Sequence, residues 1–233
     1  MRFISSERIS NHSGAAAERE VWDRLKAAFG PEETGVGYRR YPIVDRTAGD
    51  FDREADFLLF LQSVGLVVIE CKGYQIDQIR RIDGEKWVLQ NTAQSSSAPH
   101  SQAFDHSNRV RQHFIRESDL CDWRGNCVIS SNPLVALPNI TREEWESRGF
   151  HEGPSAPPVL LADDLSPVAL RERIESLPNA ELLSDDEYET ARAVLSGGQP
   201  ISGDRGPELV DETSKGGLYE TVDKGLNRLD EKQ

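Results

Sequence analysis

The amino-acid sequence predicts an α/β domain in which a mixed central β-sheet is flanked by helices. Three observations carry that expectation. Residues 55–61 and 66–71 are apolar runs rich in Val, Ile, Leu and Phe, separated only by the short Gln62–Gly65 segment. Residues 14–29 before them and 100–115 after them carry apolar side chains at helical spacing. A paired set of strands framed by amphipathic helices must bury its faces against those helices.

The elements follow in order. A helix is expected from Ser13, its N-cap, to about Phe29, with Ala17, Val21, Trp22, Leu25 and Ala28 on its apolar face. Residues 36–44 read as the first strand. The runs 55–61 and 66–71 read as a hairpin, and because apolar residues occupy both parities, both faces should be buried. Lys86–Gln90 reads as a further edge strand. A helix from about His100 to Ile115 has a sparse stripe of Ala103, Val110 and Phe114. Cys127–Ser130 and Val159–Ala162 read as short buried strands. Ser166–Leu177 has a helical pattern with proline in its first turn, and Ser184–Leu195 an acidic one capped by Ser184. The polar 91–98 stretch reads as a mobile loop near the active site, and 196–217, rich in Gly, Pro, Ser and acids, as a linker. The expected organisation is a core over 1–165, an acidic helical extension over 166–195, a linker over 196–217 and a tail over 218–233.

The hairpin also carries the chemistry. Asp56 opens the first run, and Glu70 and Lys72 close the second. A three-residue loop sets Asp56 opposite Glu70; a four-residue loop sets it opposite Cys71. Either register leaves the carboxylates as neighbours. Glu70 and Lys72 share a face because strand side chains alternate. Buried ionised groups are costly unless paired or metal-bound, and two adjacent carboxylates repel. A divalent cation relieves that repulsion, and carboxylate oxygens completed by water and phosphate suit Mg²⁺, with Mn²⁺ as a substitute. A lysine beside it would orient or deprotonate an attacking water and stabilise developing charge. The cluster therefore points to metal-assisted phosphodiester hydrolysis. The plainer alternative is a structural ion pair between Lys72 and Glu70 or Asp56.

Other polar residues fit the same picture. Glu18 lies on the core-facing stripe of the first helix and needs a partner, either as part of the metal site or as a salt bridge or helix-terminus contact. Gln102, His106 and Arg109 fall on one face of the second helix. A glutamine there can hold a phosphate or the lysine; for His106 and Arg109 a solvated face is the simpler reading.

In their order along the chain these motifs resemble the nuclease-related domain family, NERD, within the PD-(D/E)XK, restriction-endonuclease-like nucleases. The resemblance runs over about residues 10–165. It rests on Gly14 and Glu18, on Glu54-Ala55-Asp56-Phe57, on the segment Gly65–Gly73 containing Ile69-Glu70-Cys71-Lys72-Gly73, and on Pro99 followed by Gln102-Ala103. Cys71 stands where the family more often has valine. The resemblance implies a restriction-endonuclease-like core and a Mg²⁺-dependent nuclease with Asp56, Glu70 and Lys72 as its catalytic set; beside that set, Glu18 is expected to support the metal and Gln102 to orient the substrate or Lys72. Residues 225–233 resemble the start of a UvrD-like helicase, and NERD domains occur fused to such helicases. The expectation is therefore a fragment or descendant of a fusion, with a helicase in cis or trans, acting in DNA repair or in defence against foreign DNA such as viral genomes.

The net charge of −13 is unevenly spread. Residues 1–130 hold 17 Lys and Arg against 19 Asp and Glu, while residues 131–233 hold 10 against 21. Acidity thus lies mostly outside the proposed core, and weak, salt-sensitive DNA binding is expected. Arg39, Arg40, Arg80, Arg81, Arg109, Arg111 and Arg116 are the candidate phosphate contacts. His100, His106 and His113 have the wrong spacing for a structural zinc site and lack a paired-cysteine partner. No Walker-type loop is present, so ATP hydrolysis by this chain is not expected. Three unevenly spaced cysteines suggest a reducing cytosol and no disulfide framework. Without a secretory signal or a long apolar run, a cytoplasmic, non-membrane location is expected. Two readings stay open beside the DNA nuclease: a non-catalytic docking or nucleic-acid-binding module, and an enzyme acting on RNA. A homo-oligomer is also open.

Overall fold

The structure is a computed structural model that describes residues 1–5, 14–43, 54–83, 86–90, 96–152 and 156–197. Ser13 as a cap, residues 91–95 of the expected loop, and the linker and tail from residue 198 lie outside these. The N-terminal part consists of β1 (Arg2–Ser5), α1 (Ala15–Ala28), β2 (Gly35–Pro42), β3 (Glu54–Leu61) and β4 (Gly65–Cys71). There follow β5 (Ile79–Asp83), β6 (Lys86–Leu89), β7 (Ser96–Ser97) and α2 (Pro99–Phe114). The chain continues through β8 (Ser131–Leu137), α3 (Arg142–Ser147), β9 (Val159–Leu161), α4 (Pro167–Glu175) and α5 (Asp185–Gly197).

Six strands form one mixed sheet in the order β1-β2-β3-β4-β8-β9. β2, β3 and β4 are antiparallel neighbours, whereas β1 joins β2, β8 joins β4, and β9 joins β8 in parallel. The α/β class, with helices on both faces of a mixed sheet, is therefore as expected. All seven residues of β4 are buried, which the doubly apolar run anticipates.

Each face has its own apolar layer. On one, Phe57, Leu59, Leu61, Val67 and Ile69 pack against Val21, Trp22 and Leu25 of α1 and Leu170 and Ile174 of α4. On the other, Leu58, Phe60, Leu66 and Val68 pack against Val110 and Phe114 of α2 and Tyr188, Ala191 and Leu195 of α5. Each such side chain contributes about 1.5–3 kcal/mol when fully buried. The helices of the 166–195 segment thus supply residues to both layers.

Three expectations shift. The strand expected at Cys127–Ser130 begins only at Ser131, and it contains Pro133, a residue that argues against an inner strand. Its tolerance has a geometric reason. Ala136 faces β4, accepting from Lys72 N–H, while Val135 faces the other way, donating to Pro158 O. By alternation the missing N–H of Pro133 points toward β9, which starts only opposite Val135. Second, Lys86–Leu89 is not an edge of the main sheet. It is the middle strand of a second sheet, β5-β6-β7. Trp87 is fully buried there, 6.0 Å from the Trp145 ring of α3, in a third cluster with Ile79, Val135 and Leu137. Third, β1, β5 and α3 are elements the periodicity did not announce.

The β3–β4 loop is three residues long. Leu61 pairs with Gly65 and Phe57 with Ile69, a register that continues to Asp56 opposite Glu70. Gly65 holds the turn with φ +89°, and a Cβ there would meet Ser130 Oγ and lie 2.9 Å from the Ser130 carbonyl. That carbonyl accepts from Leu66 N–H at 3.0 Å, so it cannot retreat freely. Gly65→Ala should therefore cost about 1–3 kcal/mol for the left-handed backbone alone. A urea midpoint equal to that of the unsubstituted chain would refute this account of the turn.

Candidate active site

Beyond the pair Phe57–Ile69, the β3–β4 ladder gives way to side-chain chemistry. The Cys71 amide donates to Asp56 Oδ2 at 2.8 Å, so a carboxylate takes the place of the next backbone acceptor. Lys72 Nζ donates to Glu70 Oε1 at 2.6 Å. Glu70 is 6 % exposed, and its second oxygen, Oε2, is buried without a hydrogen bond. Facing that oxygen at 3.7 Å is Nδ1 of His106, from α2. Asp56, Glu70 and Lys72 thus meet at one end of the sheet, with His106 closing the cluster from the helix side.

The electrostatics follow from burial. Desolvation raises the Glu70 carboxyl to about 7, and the neighbouring Asp56 charge adds to the rise against the pull of Lys72. Asp56 is raised too, first by burial, with the Cys71 N–H and Lys72 opposing. Burial alone would lower Lys72, but the charge and hydrogen bond of Glu70 outweigh it and hold the ammonium above its ordinary value. Lys72 is therefore a firmly protonated group, suited to orienting an oxygen and stabilising negative charge.

Glu18 lies across the cleft from this cluster and is 4 % exposed. Its Oε2 accepts from Arg40 Nη2 at 3.1 Å and lies 3.6 Å from Arg39 Nη2. Arg40 adopts φ +55°, the only left-handed non-glycine among the described residues. Its backbone faces Asp56 in the β2–β3 register, yet its guanidinium turns to Glu18. The salt-bridge reading of Glu18 is thus realised, on the wall of the same cleft. Among the other arginines, Arg111 turns to the Cys127 carbonyl at 3.4 Å, while Arg109 is half-buried one turn beyond His106. Gln102 is half-buried one turn before His106, toward the helix N-terminus.

The cleft is about 740 Å³, lined by Gly14, Glu18, Arg40, Glu54, Asp56, Lys72, Tyr74 and Gln78. Tyr74 and Gln78 carried no signal in the sequence, and Glu54 only as the first residue of the Glu54–Phe57 motif. His106 did carry one, its four-residue step from Gln102. Among the described residues no three His, Cys, Asp or Glu side chains form a metal-binding group by themselves. The donor set nevertheless fits a hard cation: two adjacent carboxylates, with Glu70 raised by burial and then by the Asp56 charge, and its Oε2 buried without a hydrogen bond. Two protein ligands completed by water and phosphate is a usual Mg²⁺ arrangement.

Two outcomes follow. Glu18→Ala strands a buried guanidinium and should cost roughly 3–5 kcal/mol; a loss near zero in denaturant titration would show that the pair carries no weight. For pH, the folded protein holds the Glu70 proton up to about 7, whereas an unfolded glutamate releases it near 4.3. The folded state binds more protons in this window, so Glu70 favours folding at low pH, and this contribution is lost as pH rises from about 4 to 7. In metal-free buffer, the stability of the unsubstituted chain relative to Glu70→Gln should therefore decline across that range; a flat difference would contradict the assignment.

Comparison with known proteins places this geometry. No curated protein and no solved structure matches the chain. The family model described as nuclease-related domain, NERD, matches residues 13–137, from the start of α1 to the last residue of β8. With more than half of its length matched, and with Asp56, Glu70 and Lys72 inside the match, the chain belongs to the nuclease-related domain family.

Proposed function

We propose that this chain is a Mg²⁺-dependent DNA endonuclease or nickase, cleaving phosphodiester bonds at the Asp56–Glu70–Lys72 cluster. The observation that carries the reading is the meeting of two carboxylates and a protonated lysine at the end of a buried hairpin, where Asp56 and Lys72 line an open cleft. Membership of a nuclease-related family supports it. Asp56 and Glu70 would hold the cation, with Mn²⁺ able to replace Mg²⁺. Bound there, a divalent cation supplies Lewis-acid stabilisation of phosphoryl oxygens.

The chain's own residues do the rest. Lys72 Nζ orients the attacking water by donating to its oxygen and neutralises charge as it develops. Asp56, fixed by the Cys71 amide, presents its remaining oxygen to the cleft. His106 steadies Glu70 from the helix side. Glu18 holds Arg40 and Arg39 at the cleft wall, supporting the site from one step back. Gln102 would orient the substrate or Lys72, and Arg109 and Arg39 would meet DNA phosphate. The tail's resemblance to a helicase start supports a UvrD-like helicase partner in DNA repair or defence against foreign DNA. Among the described residues no helix is long and apolar enough to cross a membrane.

The test is nicking of supercoiled plasmid by the unsubstituted chain and Lys72→Ala, each with Mg²⁺, Mn²⁺ or EDTA. Metal-dependent cutting should fall about 10²-fold or more in Lys72→Ala, the scale of removing one charge-stabilising donor. Mg²⁺ should also raise the melting temperature, and Asp56→Asn should abolish that rise. Equal cutting by Lys72→Ala would move the chemistry elsewhere. No cutting and no metal-induced stabilisation would favour the docking-module reading.

A further inference from the structure

The segment between α2 and β8 brings two free cysteines together, neither of them lining the cleft. After a 3-10 turn at Ser118–Leu120, the chain folds back on itself. Asp122 N–H donates to Asn126 O at 2.8 Å, and Val128 N–H donates to Leu120 O at 2.9 Å. These two bonds bracket Cys121 and Cys127, which face each other as an isolated antiparallel bridge. A pair bracketed in this way is the non-hydrogen-bonded kind, with Cα atoms about 4.5 Å apart and side chains on one face. A disulfide spans Cα separations of about 4.4–6.8 Å, so bonding the two sulfurs requires side-chain rotation and no backbone movement.

The turn between them is built to hold that geometry. The Asp122 carboxylate accepts from the amides of Arg124 and Asn126, each at 2.8 Å, and from Asn126 Nδ2 at 3.1 Å. Gly125 supplies the left-handed position, φ +79°. Both cysteines are reduced and partly exposed. Cys121 Sγ donates only weakly, to the Ile115 and Glu117 carbonyls at 3.4 and 3.6 Å. The remaining cysteine, Cys71, is buried in the core.

We propose that Cys121 and Cys127 form a reversible thiol-oxidation site whose co-reactant is a small-molecule disulfide of the glutathione class. One protein thiolate attacks a glutathione-disulfide sulfur and releases one glutathione thiolate. The other protein thiolate then attacks the protein sulfur of the mixed disulfide and releases the second. Two protein S–H bonds and one glutathione S–S bond are lost; one protein S–S bond and two glutathione S–H bonds form. The protein is oxidised by two electrons and glutathione disulfide is reduced by two. The bond locks the tip that presents Trp123, 85 % exposed with the Arg124 guanidinium 4.4 Å from its ring. Transient disulfides of this kind are the ones found in reducing compartments. The proposal does not depend on nuclease activity.

The experiment treats the native full chain with glutathione disulfide, blocks free thiols in denaturant, and maps the peptides. Cleavage after Arg116, Arg124 and Arg142 puts the two cysteines on separate peptides. The expected result is a fall from three free thiols to one, Cys71, with the two peptides joined, two hydrogens lost and no glutathione retained. Reduced glutathione should reverse it. Cys121→Ser and Cys127→Ser should each retain glutathione as a stable mixed disulfide. An unsubstituted chain that keeps three thiols, keeps glutathione, or joins a second chain instead would overturn the proposal.

Discussion

Two carboxylates and an ammonium are buried together at the end of an apolar hairpin, and the surrounding structure is arranged around that cost. Their meeting depends on a register. A one-residue slip between β3 and β4 would exchange every side chain between the two faces. Both faces are covered, by α1 and α4 on one side and α2 and α5 on the other, so the slip is opposed twice. Gly65 and its contact with Ser130 then set the loop at three residues. Once the register is fixed, Asp56 and Glu70 cannot avoid each other. One lysine neutralises one of them. The local charge that remains is negative, which is the physical argument for a cation; burial first, and the Asp56 charge second, keep the Glu70 proton in place up to about 7.

The second buried ion pair looks redundant until its position is considered. Arg40 stands opposite Asp56 in the β2–β3 register and would be the natural partner of that carboxylate. A left-handed backbone, uncommon for a residue with a Cβ, turns it toward Glu18 instead. Such a conformation costs about 1–3 kcal/mol and persists because the buried pair over-determines it. The effect is to leave Asp56 with the Cys71 amide as its hydrogen bond and the charge of Lys72 next in weight, ahead of that of Arg40. A carboxylate meant only for structure would be better served by the arginine.

What the sequence made legible follows from how local each signal is. The hairpin, α1, α2, α4 and α5 announced themselves because apolar spacing is a property of a single element. Asp56, Glu70 and Lys72 were legible because strand ends and side-chain alternation locate them without any knowledge of the rest. The strand expected at Cys127–Ser130 lies at Ser131–Leu137 instead, across a proline that argues against an inner strand and that only the stagger of β9 makes harmless. β6 was assigned to the wrong sheet because pairing partners are a tertiary fact. α3 was overlooked although Thr141 and Glu144 form a capping box, a local signal visible in the sequence. Spacing put His106 on the face of Gln102 but could not give its role, nor that of Arg40, since both roles depend on which neighbour a fold brings across from them.

The acidic composition remains to be reconciled with a nucleic-acid substrate, and the topology supplies the reason. α5 opens with Asp185, Asp186 and Glu187, and it is tied to the hairpin loop: Leu183 N–H donates to Gln62 O, and Gln62 Nε2 donates to Asp185 Oδ1 at 2.7 Å. The Asp56–Glu70–Lys72 cluster lies at the opposite end of the same two strands. Five or six residues of strand separate them, roughly 17–20 Å at the usual rise. The Debye length at physiological salt is about 8 Å, so the charge that opens α5 is screened by about two such lengths before it reaches the cleft. At the cleft itself the nearest arginines are already shared with Glu18. On the proposed reading, phosphate attraction there would come chiefly from Lys72, the proposed cation and a few peripheral arginines. Each phosphate neutralised adds about 0.9 to the salt slope of duplex binding, and so short a roster of cations among the described residues implies a shallow slope for the proposed substrate.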